Sequence, residues 1–356
     1  MKRGETVNHI FEEYLREKEP QKKEKGYAWH TAIGLQAVDG LHTSEYLMET
    51  AKKHIEGDIT FEEANNLIHS YYKENVAHTG TDRTEEADKV SVRIAQLLSE
   101  KSFVFSPAQY ISIHLQLFKG IYKHAGKIRD YNITKSEWVL DGDTVMYGGA
   151  LDLRATLDYD FSVEKEFSYK NLSMDEIIKH LAVFVSHLWQ IHIFSEGNTR
   201  ATAVFFIKYL RTLGFDVTND IFAEYAWYFR NALVRANYTN IKKGVHETTE
   251  YLELFLRNLL LGEENILKNR DMHIGGSLSS PKCNKEVKNC TLNCTLDEVA
   301  VLNLLKADGK ITQKKISESI KKSERTVKTI TASLEKKGFI TRVNGKRFGY
   351  WKVNVE

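Results

Sequence analysis

The chain of 356 residues carries 50 Lys and Arg against 48 Asp and Glu, a net charge of +2, and is 42% hydrophobic. That length allows a large core and suggests two or three domains, while the total charge is too near zero to point to any partner. Only three prolines, among many Leu, Ile, Lys and Glu, indicate a mainly α protein, and no apolar run approaches the length of a bilayer span, so no membrane role is expected.

Residues 1–26 form an N-terminal arm that mixes both charges and lacks the apolar stretch of a signal peptide, which implies a cytoplasmic protein. Residues 27–75 read as a small helical module made of YAWHTAIGLQAVDGL, HTSEYLMETAKKHIEGDI and TFEEANNLIHSYYKE. Thr43 and Thr60 are the expected N-caps of its second and third helices, because acidic residues follow each of them.

A larger unit spans 89–261. Val90 to Leu98 is an amphipathic helix, and Ser106-Pro107 starts another through Tyr110, Ile113, His114 and Leu117. In EWVLDGDTVMYG, β-type residues flank Asp141-Gly142, which predicts a hairpin. Met174 to Gln190 and Ala201 to Gly214 both carry apolar residues at helical spacing. Between them lies HIFSEGNTR, His192 to Arg200, a helix-loop-helix elbow. The second helix should begin close to Asn198, where backbone N–H groups without intrahelical partners make an anion site. Around it stand His192 as a general base, Glu196 as a carboxylate for a hard cation, Gly197 as a point of close backbone approach, the Asn198 amide and the fixed cation Arg200. These are the parts of a phosphoryl or nucleotidyl transfer site.

The loop fills all six places of His-x-Phe-x-acid-Gly-Asn-x-Arg, through His192, Phe194, Glu196, Gly197, Asn198 and Arg200, and so resembles the signature of the Fic family. The resemblance implies a Fic-type helical bundle with a β-hairpin flap. It implies a protein adenylyltransferase with ATP as substrate and Mg²⁺ on Glu196, which modifies a Ser, Thr or Tyr hydroxyl of a target protein or of the chain itself. His192 would be the catalytic base, and Gly197, Asn198 and Arg200 would bind phosphate. Trp138, Val139 and Leu140 fall where the family's flap pairs with target peptide. Ile121 to Lys135 resembles the Ala-Gly-x-x-Arg segment that supports the family's site from behind, and Asn237 lies where an asparagine can reach the base, although it can equally cap its helix. Another nucleotide donor stays open.

The 27–75 module resembles the antitoxin module of this family, in which a glutamate blocks productive ATP binding. Two candidates for that residue are present: Asp39, around which the module aligns, and Glu74 in Ser70-Tyr-Tyr-Lys-Glu74-Asn75. A second arginine often follows the first by three residues and pairs with the blocking glutamate. Position 203 is alanine, so the usual regulatory ion pair is not expected.

A linker, 262–294, holds Cys283, Cys290 and Cys294 near His273; the cysteine spacing fits no common zinc finger, and unpaired thiols are expected. Residues 295–356 read as three helices, capped by Thr312 and Ser323 at the second and third, and a hairpin about Asn344-Gly345. This resembles a winged helix-turn-helix. From Leu296 onward it holds fourteen Lys and Arg against seven Asp and Glu, a basic surface suited to DNA. Arg325 and Lys328, near Ser323 and Thr326, would face the major groove, with Lys346 and Arg347 of the wing on phosphate. A DNA-binding regulator with the Fic domain as its switch is therefore the rival reading. A homo-oligomer is left open.

Overall fold

A computed structural model describes residues 13–15, 19–74, 83–217, 220–275, 293–344 and 349–354. The chain divides into two units, Met1–Glu166 with Ala182–Cys283, and Phe167–Leu181 with Asn284–Glu356.

In the first unit, α1 (Pro20–Gly34) begins inside the expected N-terminal arm, because Pro20 is well suited to the first helical turn. A 3₁₀ turn, Leu35–Asp39, continues it and stops at Gly40, whose φ of 67° is left-handed. Residues three apart eclipse in such a turn, so Gln36 and Asp39 share one side. Helix α2 (Glu45–Glu56) is capped by Ser44 and not by Thr43: the Ser44 hydroxyl accepts the Leu47 N–H at 3.1 Å and donates to Asp88. In α3 (Phe61–Glu74), Thr60 is the cap as expected, in a reciprocal pair with Glu63.

Helix α4 (Thr84–Ser99) is longer than its apolar period indicated and packs along α1. Helices α5 (Pro107–Phe118), α6 (Leu153–Glu166), the second half of α7 (Met174–Ile191) and α8 (Asn198–Thr212) enclose an aromatic core. There Phe105 meets Phe161, Phe184, Phe205 and Tyr209 with ring centroids 4.5–5.9 Å apart, pairs worth about 0.5–1.5 kcal/mol each beyond burial. Helices α9 (Ala226–Ala236) and α10 (Glu250–Leu261) pack on each other, and α9 also meets the Leu35–Asp39 turn.

The expected hairpin at Asp141-Gly142 is a reversal without a strand ladder. Trp138–Leu140 form a 3₁₀ turn, and the backbone closes through Glu137 N–H to Asp143 O at 2.9 Å and Gly142 N–H to Glu137 O at 3.1 Å. Val139 and Leu140 are fully buried, and the Val139 carbonyl accepts the Ile274 N–H, so this stretch offers no open strand edge. Burial of the apolar pair wins over alternation.

The second unit contains α11 (Leu296–Ala307), α12 (Gln313–Ile320), α13 (Glu324–Lys336) and a hairpin of β1 (Ile340–Val343) and β2 (Tyr350–Val353), with Ile340 opposite Val353. Thr312 and Ser323 cap as expected, and α11 starts with a Thr295–Glu298 capping box. Val301, Leu305, Ile316, Val327, Leu334 and Ile340 make its core, together with buried Cys294. Arg325 and Lys328 are exposed at the start of α13, whereas Lys346 and Arg347, with Cys283 and Cys290, lie outside the described residues. No helix among those described is long and apolar enough to cross a membrane.

Two buried histidines in the first unit accept hydrogen bonds that only an unprotonated Nδ1 can accept. His54 takes the Trp29 indole N–H at 3.1 Å, and His114 takes the Gly126 N–H at 2.9 Å. Burial above all, aided by Lys25 at the first and opposed by a bond to the Glu196 carbonyl at the second, lowers both to about 4. The unfolded chain therefore binds more protons between the ordinary histidine value and about 4, and stability falls as pH drops through that window, by up to about 1.4 kcal/mol per pH unit for each group. Urea melts across this range should show the decline, with a smaller slope in His54→Gln; a flat profile would contradict it.

Candidate active site

Helix α7 ends at Ile191, and His192 turns out of it in a left-handed conformation, φ 48°. Arg129 secures that exit: its Nε donates to the His192 carbonyl at 2.7 Å, one terminal nitrogen to the Ile191 carbonyl at 3.3 Å, and its backbone N–H to Ile193 O at 3.0 Å. The helix end is thus satisfied by a buried guanidinium in place of water. Phe194 is buried and stacks on His114 at 3.7 Å; with Nδ1 of His114 accepting, Nε2 carries the proton and donates to the Glu196 carbonyl at 2.9 Å.

Asn198 closes the loop on itself. Its Oδ1 accepts the Phe194 N–H at 3.0 Å and its Nδ2 donates to the Phe194 carbonyl at 2.7 Å. The side-chain amide expected to meet phosphate is therefore committed, and what Asn198 can offer a ligand is its backbone N–H. Gly197 precedes α8 with φ 77°, and a Cβ there would stand 2.4 Å from the Phe118 ring. Both facts require glycine at this position.

His192 is 3% exposed, between the rings of Trp189 and Tyr147 at 5.2 and 4.4 Å. Its Nδ1 lies 3.3 Å from the Trp189 carbonyl, while Nε2 is buried without a partner among the described residues. Burial first, then the charges of Lys135, Arg230 and Arg129, hold its pKa well below the ordinary histidine value, against the raising effect of the Trp189 carbonyl. The ring is a neutral base with its lone pair on Nε2. Tyr147 is held by its hydroxyl bond to fully buried Glu137 at 2.9 Å, and Glu137 is paired with Arg230 at 2.6 Å.

Arg200 is fully buried. Its Nε lies 2.8 Å from Asp39 in an ion pair without hydrogen-bond alignment, one terminal nitrogen donates to Gln36 at 3.1 Å, and the other to Glu86 at 2.7 Å and to the Tyr122 hydroxyl at 3.2 Å. Glu86 also receives Arg83 through two bonds, at 2.8 and 2.7 Å. Burial raises the Glu86 pKa, but the Arg83 bonds, the Arg200 charge and the Tyr122 bond outweigh it, leaving the carboxyl below its usual range. Two guanidinium groups and two carboxylates balance in this cluster. With alanine at 203, Asp39 pairs with the first arginine of the loop instead; Ala203 itself is buried.

Other expected residues lie elsewhere. Glu74 is exposed at the last position of α3. Asn237 donates to Leu233 O at 2.9 Å and Ser186 O at 3.1 Å, as a helix-end cap and tie. Trp138 is half-exposed against His273 at 4.8 Å. Glu196 and Asp39 line a cavity of about 280 Å³ with Arg83, Lys135, Trp227 and Arg230. The sequence did not single out Arg83, Glu86, Lys135, Glu137 or Arg230 as site residues, because they come from three segments that only the fold brings together.

Mg²⁺ needs only one or two protein carboxylates when a substrate phosphate completes its shell. Glu196 fits that requirement: its side chain is about one-third exposed and opens on the cavity, 3.6 Å from Lys135. Among the described residues no cluster of three His, Cys, Asp or Glu could hold a metal without such a substrate.

Compared with known proteins, residues 104–210 match the Fic/DOC family and residues 298–341 match a winged helix-turn-helix DNA-binding family. A crystal structure of a Fic family protein from Desulfovibrio desulfuricans G20 is similar at 12% identity and a TM-score of 0.46, over 99% of this chain and 95% of that one. No curated protein matches.

Gly197→Ala should lower stability by about 1–3 kcal/mol, the combined cost of a strained φ and a clash with Phe118. Denaturant unfolding checks this, and an unchanged midpoint would contradict the geometry.

Proposed function

We propose that this chain, whose residues 104–210 form a Fic/DOC domain, is a protein adenylyltransferase that moves AMP from ATP to a Ser, Thr or Tyr hydroxyl of a target protein or of itself. The observation that carries this reading is His192: a buried, neutral imidazole whose Nδ1 faces the Trp189 carbonyl and whose Nε2 lacks a partner among the described residues. Such a group is poised to take one proton.

As the target oxygen bonds to the α-phosphorus, its proton passes to His192 Nε2 and the bond to pyrophosphate breaks. The Gly197–Asn198 backbone at the start of α8 offers N–H donors to phosphate oxygens. Glu196 would hold Mg²⁺, whose charge offsets that of the phosphates when it is bound. Arg200 reaches phosphate only by leaving Asp39, so Asp39 is the inhibitory residue in this reading and Glu74 is not. Removing the Asp39 charge leaves the Arg200 cluster with an uncompensated cation that a phosphate can neutralise. Tyr147 must withdraw from His192 for a hydroxyl to enter. The loop contacts phosphate and not base, so another nucleotide donor stays the alternative within this mechanism.

The winged helix supports a further element of the reading. Its DNA-binding match, with Arg325 and Lys328 exposed on α13, favours a role for DNA in placing or switching the transferase.

His192→Ala should abolish transfer and leave ATP binding within about threefold, since the ring contributes the proton acceptor and not the phosphate contacts. In the wild type, the acid limb of kcat/KM should lie below the ordinary histidine pKa of about 6.5, because the base stays unprotonated there. Asp39→Asn should raise turnover at least about threefold. Labelled-ATP assays over pH check all three, and equal turnover by His192→Ala would sink the assignment.

A further inference from the structure

Helix α8 runs from the His192 loop to a second and larger cavity, of about 620 Å³, formed where α1, the C-terminus of α4 and the end of α8 meet. Lys208, which lines it, lies about 15 Å along the helix axis from Asn198, so this space is separate from the end of α8 that faces the loop. Its volume falls within the range of about 300–1,000 Å³ typical of small-molecule sites.

Two cations of α8 line the cavity. Lys208 is 3% exposed, and its ammonium donates to the Leu97 carbonyl at 2.6 Å and the Glu100 carbonyl at 2.7 Å. Arg211 donates to the Leu98 carbonyl at 2.5 Å. These acceptors belong to the end of α4, so both side chains cap that helix, whose dipole supplies only about half a negative charge. Neither cation has a carboxylate within ion-pair distance among the described residues, and each keeps N–H groups beyond those used. Burial lowers the Lys208 pKa to about 8, with Glu100 opposing and Arg211 reinforcing the effect. Burial also lowers Arg211, against the attraction of Asp216 and Glu24. Positive charge at the inner end of the cavity is thus only partly compensated.

The remaining charges stand at the opening. Glu24, Glu100 and Asp216 are exposed there with Lys101, while Lys25 is engaged by the His54 carbonyl at 3.0 Å. Three rim carboxylates disfavour a polyanion. Between rim and cations the walls include buried Leu98, Phe215 and Val217, which suit an apolar body.

We propose that this cavity binds a small monocarboxylate with an apolar body, its carboxylate on Lys208 and Arg211 and its tail against Leu98, Phe215 and Val217. A carboxylate matches the guanidinium fork and accepts the remaining ammonium N–H, and its single charge passes the acidic rim where a phosphate is repelled. The site stands apart from the adenylyl-transfer reading, since it uses none of the residues around His192.

Calorimetry on the full chain with octanoate, octanamide and inorganic phosphate separates the charge from the tail. Octanoate should bind; octanamide, with the tail and no charge, and phosphate, with charge and no tail, should each bind at least about tenfold more weakly. Arg211→Gln should weaken octanoate about tenfold and leave octanamide within about twofold, while Arg211→Lys keeps most of the octanoate affinity. Lys208→Met keeps the volume of the stem and should lose octanoate to a similar degree, with thermal melting as the fold control because the end of α4 loses a cap. Octanoate should also raise the melting temperature of the wild type more than that of Arg211→Gln. No octanoate binding by the wild type, octanamide or phosphate binding as tightly as octanoate, or full octanoate affinity in Arg211→Gln would overturn the site.

Discussion

The buried guanidinium of Arg200 is the constraint around which the first unit is arranged. A cation this enclosed is tolerated only when every side of it meets a counter-charge or an acceptor, and three segments supply them: Gln36 and Asp39 from the 3₁₀ turn, Glu86 from α4, and Tyr122 after α5. The eclipsed spacing of the turn lets Gln36 and Asp39 act together, and Gly34 lets α1 pass against the Ala223 backbone, where a Cβ would sit at 2.4 Å. The N-terminal module is therefore tied to the loop by charge as well as by apolar packing. Any ligand that competes for Arg200 competes with the attachment of that turn.

The same loop resolves a second electrostatic problem, keeping a histidine neutral in a region of positive charge. Arg129, Lys135 and Arg230 all act on His192, and burial removes the water that would stabilise an imidazolium. A lone pair on Nε2 results, enclosed by Tyr147 and Trp189. The cations that disfavour protonation are also those that would welcome a phosphate, so base strength and anion affinity arise from one arrangement of charges. Glu137 links the two by holding Tyr147 on one side and Arg230 on the other.

Much of this was legible in the sequence where local rules decide the outcome. The elbow at His192–Arg200, the helices on either side, the caps at Thr60, Ser106, Thr312 and Ser323, and the three-helix-plus-hairpin pattern after Leu296 each follow from periodicity or capping chemistry. Three kinds of detail were hidden. Ser44 displaced Thr43 as a cap because its hydroxyl also reaches Asp88, a tertiary partner. The expected hairpin at Asp141-Gly142 lost its ladder because Val139 and Leu140 are drawn inward. The pairing of Asp39 with Arg200 required folding residues 161 positions apart against each other, and the alanine at 203 concealed it. Local pattern finds the loop; long-range charge pairing decides how it is held.

The most direct measurement follows the phosphorus atoms. The purified chain, incubated with a candidate target and ATP labelled on the α- or the γ-phosphate, would be analysed by mass spectrometry for label on protein hydroxyls. Nucleotidyl transfer at the His192 loop requires the α-label to become protein-bound, with one pyrophosphate carrying the γ-label released for each event. Retention of the γ-label on protein, or release of γ-label with no α-label bound, would contradict it.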